Sequence, residues 1–117
     1  MTRWFVFLFL MVSSTVYASE ARDVTVNNLQ HIETKRGAGY VFLSFKIDVE
    51  NTGERGSVFV EILGKDANGF QISSVHANGM VNSSDRAVLT TTTAISEREF
   101  SNIVTWEISR IEKFIRP

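Results

Sequence analysis

Tyr40-Val41-Phe42-Leu43-Ser44-Phe45-Lys46-Ile47-Asp48-Val49-Glu50 decides the fold. Val41, Leu43, Phe45, Ile47 and Val49 are all apolar, while Ser44, Lys46, Asp48 and Glu50 between them are all polar. Period two means a β-strand with one dry face and one wet face, because successive side chains of a strand point to opposite sides. On a helix the same five apolar groups would be scattered around the circumference. Tyr40 and Phe42 interrupt the polar face at its start, which predicts partial cover at that end.

Working outward, Asn51-Thr52-Gly53-Glu54-Arg55-Gly56 is a cluster of turn formers. Ser57 to Leu63 resumes strand character, with Val58, Val60 and Ile62 on one face. Asp66-Ala67-Asn68-Gly69 carries a hairpin signal, since Asn-Gly accepts the left-handed conformation of a tight turn. Phe70 to Ala77 reads as the return strand and Asn78-Gly79 as a break. Arg86 to Ile95 holds four consecutive threonines, Thr90 to Thr93, whose β-branched side chains favour extended backbone. So polar a strand belongs at a sheet edge or on a solvated face. Upstream, Val24-Thr25-Val26 leads through Leu29 to Thr34 as the first strand, with Lys35 to Gly39 as its loop.

The segment 96–115 admits two readings. Ser96-Glu97-Arg98-Glu99 has the form of a helix-capping box, and Phe100, Ile103, Val104, Ile108, Ile111 and Ile115 recur at helical spacing. That helix would put Glu107 inside the apolar stripe and Trp106 outside it. As a strand, Val104, Trp106 and Ile108 share one face. The expectation is a helical turn near 96–101 followed by a strand from about Ile103 to Phe114.

The N-terminus carries an address. Arg3 precedes the apolar run Trp4 to Val12, and Val16-Tyr17-Ala18 offers small residues at the −3 and −1 positions of a cleavage site. This three-part pattern is that of a secretory signal peptide cut after Ala18. A membrane span needs roughly 20 apolar residues, more than this run supplies. Residues 1–18 are therefore read as a signal-peptide helix and 19–117 as one exported domain, periplasmic or secreted, with no stable membrane span after cleavage.

Composition narrows the rest. The chain has 117 residues, no cysteine, 12 Lys and Arg, and 13 Asp and Glu. Without cysteine it has no disulfide, thiolate metal site or thiol nucleophile, so its core alone must hold it. The near-neutral balance lacks the basic stripe that phosphate neutralisation requires, which argues against nucleic acid. About six strands spaced by turn signals point to a β-sandwich.

The stretch Ile47 to Ile111 resembles the FxLYD-type immunoglobulin-like domains of exported bacterial proteins. The resemblance rests on Val49-Glu50-Asn51-Thr52-Gly53, similar to that family's strand ending in an Asn-x-Gly turn. It rests also on Asp66-Ala67-Asn68-Gly69, similar to its Asp-Ala-x-Gly hairpin, and on the late strand at Trp106-Glu107-Ile108. Gly64 and Lys65 depart from it, standing where the family's Leu and Tyr precede the Asp. Ser96 to Phe100 replaces a proline-glycine turn. The resemblance implies an all-β, immunoglobulin-like antiparallel sandwich of six to seven strands with an accessory or binding role.

Candidate sites are few. His31 and His76 are the only histidines and fall in different segments, so no metal or cofactor site is expected. Ser73, Ser74 and His76 are neighbours but lack a nucleophile-elbow motif. Asp48 and Glu50 share a face, and Glu61 is expected across from them; these carboxylates are all that a small secreted hydrolase could use. Asn82-Ser83-Ser84 fits a glycosylation acceptor. Tyr40, Phe42, Phe59 and Leu63 fall on the faces opposite the regular apolar ones in adjacent strands. They are expected to form one aromatic patch contacting another exported or envelope protein. The function expected is non-catalytic binding, with the hydrolase and a self-associating structural protein as alternatives. The threonine-rich strand is a place where an extended peptide could pair.

Overall fold

The computed structural model describes residues 21–115, so the expected signal peptide and its expected cleavage point after Ala18 lie outside the described residues. Six strands follow one another: β1 (Val24–Gly37), β2 (Tyr40–Asn51), β3 (Gly56–Lys65), β4 (Gln71–Val81), β5 (Asp85–Ser96) and β6 (Thr105–Phe114), with a short helix α1 (Glu97–Asn102) before the last. They form two antiparallel three-stranded sheets, ordered β1-β2-β5 and β4-β3-β6. The chain is an all-β sandwich.

The period-two reading places the core. Val41, Leu43, Phe45, Ile47 and Val49 of β2 are fully buried, as are Val58, Val60 and Ile62 of β3. These are the central strands of the two sheets, so their inner faces meet across the dry layer. Val24, Val75, Ala77, Val81, Leu89 and Ile95 complete it. The threonine-rich strand, β5, lies at a sheet edge as its polarity predicts.

Two connections, β1–β2 and β3–β4, turn within a sheet, and the other three cross between sheets. β1 and β2 form a hairpin whose turn is only Ala38-Gly39, both at positive φ (55° and 82°), as a type I′ turn requires. Strand pairing therefore reaches Gly37, and Lys35 to Gly37 is strand rather than loop. The β3–β4 hairpin turns at Asp66–Gly69, where the Asp66 carboxylate accepts from the Asn68 and Phe70 N–H groups, both at 2.9 Å. Gly69 takes φ 86°.

The stretch Thr52–Arg55, by contrast, carries the chain from one sheet to the other. Asn51, fully buried, anchors it. Its amide donates to the Glu54, Val81 and Asn82 carbonyls at 2.8–3.3 Å, joining this crossing to the β4–β5 one. Its Oδ1 accepts from the Gly53 N–H and from the Lys113 ammonium. That ammonium also bonds the Asp23 carboxylate and the Glu54 carbonyl.

Two further expectations are corrected. β4 runs through Asn78-Gly79 without a break. Gly79 serves close approach, since a Cβ there would meet Leu89 Cδ2 of β5 at 2.9 Å. In the C-terminal segment, Ser96 caps α1 by accepting from the Glu99 N–H at 3.1 Å, and β6 follows as expected. Val104, however, precedes the strand and is exposed. A bulge lies at Ser109, between the pairs Ile62↔Ile108 and Glu61↔Arg110.

Candidate functional site: two outer sheet faces

The parity of the four patch residues is as read: each points away from the core. Their grouping is not. Tyr40 and Phe42 lie on β2, on the outer face of the β1-β2-β5 sheet. Phe59 and Leu63 lie on β3, on the outer face of the β4-β3-β6 sheet. Because Thr52–Arg55 crosses between the sheets, β2 and β3 are not hydrogen-bonded neighbours, and the four side chains sit on opposite sides of the sandwich. The single patch is therefore two separate surfaces. The same crossing separates Glu61 from Asp48 and Glu50.

The first outer face exposes large apolar side chains at one end. Tyr40 is 51% exposed and Phe42 40%. Phe42 stands opposite Lys35 on β1 and Ala94 on β5. One row along, Ser44 stands opposite Ile32, which is 53% exposed. Tyr40, Phe42 and Ile32 thus form a contiguous apolar strip at one end of the sheet. Lys35 and Lys46 flank it, and neither makes an ion pair among the described residues. The carboxylates of this face lie at its other end and are engaged: Asp48 pairs with Arg86 at 2.8 Å and Glu50 accepts from Asn27 at 3.3 Å. Ile32 escaped the sequence reading because bulges at Asn27 and Thr34 break the alternation of β1 on either side of it.

The second outer face covers its central aromatic ring but exposes Met80 (46%) and Phe114 (59%) on either side of Ser57 at one end. Phe59 is half-buried, with the Arg110 guanidinium 5.3 Å from its ring centroid on one side and the His76 ring at 5.3 Å on the other. Leu63 is half-buried between Ser74 and Glu107. Glu61 stands opposite His76 but accepts from Ser109 Oγ, at 2.8 Å. Ser74 and His76 share this face with Glu61 while Ser73 points inward beside Gly64. No hydrogen bond joins Ser74, His76 and Glu61 to one another among the described residues, so the groups of a hydrolytic relay are not assembled. Asn82 of the glycosylation tripeptide accepts from Arg55 at 2.8 Å in the β4–β5 connection.

His31 occupies a third environment. It faces inward on β1, its imidazole 5.9 Å from Phe45 and 6.0 Å from Trp106. Phe45 and Trp106 meet edge to face at 5.0 Å. Desolvation by these rings lowers the His31 pKa below its ordinary value of 6.5. Nearby, hydrogen bonds from Arg36 hold the Glu33 carboxyl below the usual range, and the same guanidinium reaches Glu97 at 3.1 Å. His31 and His76 lie on different sheets. Among the described residues no three His, Asp or Glu side chains are placed to hold a metal ion. No helix among them is long and apolar enough to cross a membrane.

No family model matches the chain. No curated protein matches it. Among solved structures it is similar to Northeast Structural Genomics Consortium target SoR45, determined by X-ray diffraction, at 16% identity over 82% of this chain and 88% of that one, with a TM-score of 0.45.

Proposed function

We propose that the protein is exported, loses residues 1–18, and acts as a non-catalytic binding module, contacting another exported or envelope protein through Tyr40, Phe42 and Ile32. The observation that carries this reading is the contiguous exposure of three large apolar side chains on one sheet face, beside two lysines that make no ion pair among the described residues. Contiguous apolar surface on a soluble domain marks contact sites, whereas scattered single side chains do not. Tyrosine and phenylalanine suit this use, since each offers a large rigid contact area at small entropic cost. The resemblance of Ile47 to Ile111 to FxLYD-type immunoglobulin-like domains supports an accessory role. The leader pattern supports export.

The test compares two double variants. Tyr40→Ser with Phe42→Ser should abolish recovery of a defined partner from periplasmic or culture extract while thermal stability stays near wild type. Phe59→Ser with Leu63→Ser, on the opposite face, should leave recovery unchanged. Equal loss from both variants, or from neither, would reject the first face as the contact surface. For the address, N-terminal sequencing of the exported protein should begin at Ser19.

A further inference from the structure

We propose that the free edge of β1 receives an extended, acid-bearing segment of a partner protein as an added antiparallel strand. β1 terminates its sheet, so the backbone groups on its outer side have no strand partner among the described residues. Such an edge is a template for another strand, and natural proteins usually guard it. The other three edges are guarded. β5 and β4 lie side by side, close enough that Gly79 comes against Leu89. β6 is interrupted by the Ser109 bulge and lined with Glu107, Arg110, Glu112 and Lys113, all held in ion pairs. β1 keeps six residues in unbroken register, Asn28 to Glu33, between its two bulges. This is the edge to which the peptide-pairing expectation moves from β5.

The side chains beside that edge specify the occupant. On the inward side, Leu29 of β1 and Trp106 of the facing sheet remain only partly covered, and His31 of β1 is exposed. An incoming strand with apolar residues at alternate positions would complete the cover over Trp106. On the outward side lie Ile32 and, just past the second bulge, Lys35, with Lys46 on the neighbouring strand. Among the described residues neither lysine is in an ion pair, and none of those placed on the outer face at this end is a carboxylate. An Asp or Glu on the outward side of the added strand would supply the missing charge. The inference rests on the protein's being a binding module and adds to it a mode of binding.

The experiment pans the exported, processed protein against a random library of displayed twelve-residue peptides, then maps selected peptides by amide chemical shifts. The expected winners alternate apolar residues over six to eight positions and carry at least one Asp or Glu. Their binding should perturb and protect amides within residues 28–33. Lys35→Glu, a change at an exposed side chain, should weaken them about five-fold with an unchanged melting curve. Tyr40→Ser with Phe42→Ser should leave peptide affinity within two-fold, so the edge and the proposed outer-face contact can fail separately. Four results would overturn the proposal. They are no enrichment, enrichment of basic peptides, perturbations on β5 or β6 instead, and pairing of β1 with a second copy, seen as doubled mass without peptide.

Discussion

Gly64 shows how one side chain's absence shapes the sandwich. It faces inward on β3 opposite Trp106, and a Cβ there would lie 2.8–3.0 Å from the indole ring and from Ile103 Cδ1. The glycine makes room for the indole, which then closes over Phe45 and under His31. Gly64→Ala should therefore destabilise by about 1–3 kcal/mol, the ordinary cost of overpacking a tight core, read as a lowered denaturation midpoint. Ala38 gives the opposite case. Its φ of 55° is strained for alanine and comfortable for asparagine. Ala38→Asn should stabilise by roughly 0.5–1 kcal/mol in the same assay. His31 supplies the pH dependence. Its folded pKa is lowered by burial, so the unfolded chain binds the proton more readily. Stability should be full above pH 6.5, fall as pH drops through that value, and level off below the folded pKa. His31→Phe should flatten this part of the stability profile. A profile equally steep in the variant would assign the effect elsewhere.

At the scale of elements, β6 explains why one segment read as either helix or strand. Trp106 and Ile108 face inward at spacing two, but Ser109 and Arg110 together oppose Glu61, so the next inward residue is Ile111. The bulge turns a step of two into a step of three, which mimics helical spacing. Deleting Ser109 should remove the bulge and leave Ile111 opposite Val60, with a folded protein by circular dichroism and a loss of about 1–2 kcal/mol. Deleting Thr91 from the uninterrupted β5 should reverse the facing of every residue on one side of the gap and prevent folding. The inner faces of β2 and β3 were legible because their period is unbroken. What was hidden was pairing. Asn51 to Gly56 has the composition of a hairpin, yet its carboxamide at Asn51 is fixed by carbonyls of the β4–β5 crossing some 30 residues away, a contact no local pattern announces. Gly79 misled for a similar reason, being small for the sake of Leu89 rather than for a turn.

For the whole molecule, the crossing of β2 to β3 decides what the surface offers. It takes four outward apolar residues that adjacent strands would have gathered and assigns them to opposite sides. On one side Phe59 is covered by Arg110 and His76, while Met80 and Phe114 are exposed beyond it. On the other, Tyr40, Phe42 and Ile32 are exposed near Lys35 and Lys46, which make no ion pair among the described residues. The proposed role assigns binding to the end of the first sheet, where Tyr40, Phe42 and Ile32 stand together. A photoreactive phenylalanine analogue placed singly at Phe42 or at Phe59, in cells exporting the protein, tests that assignment most directly. The account predicts a discrete crosslinked species with another exported protein from position 42 and none from position 59. Crosslinks from position 59 alone, or an identical product from both, would contradict it.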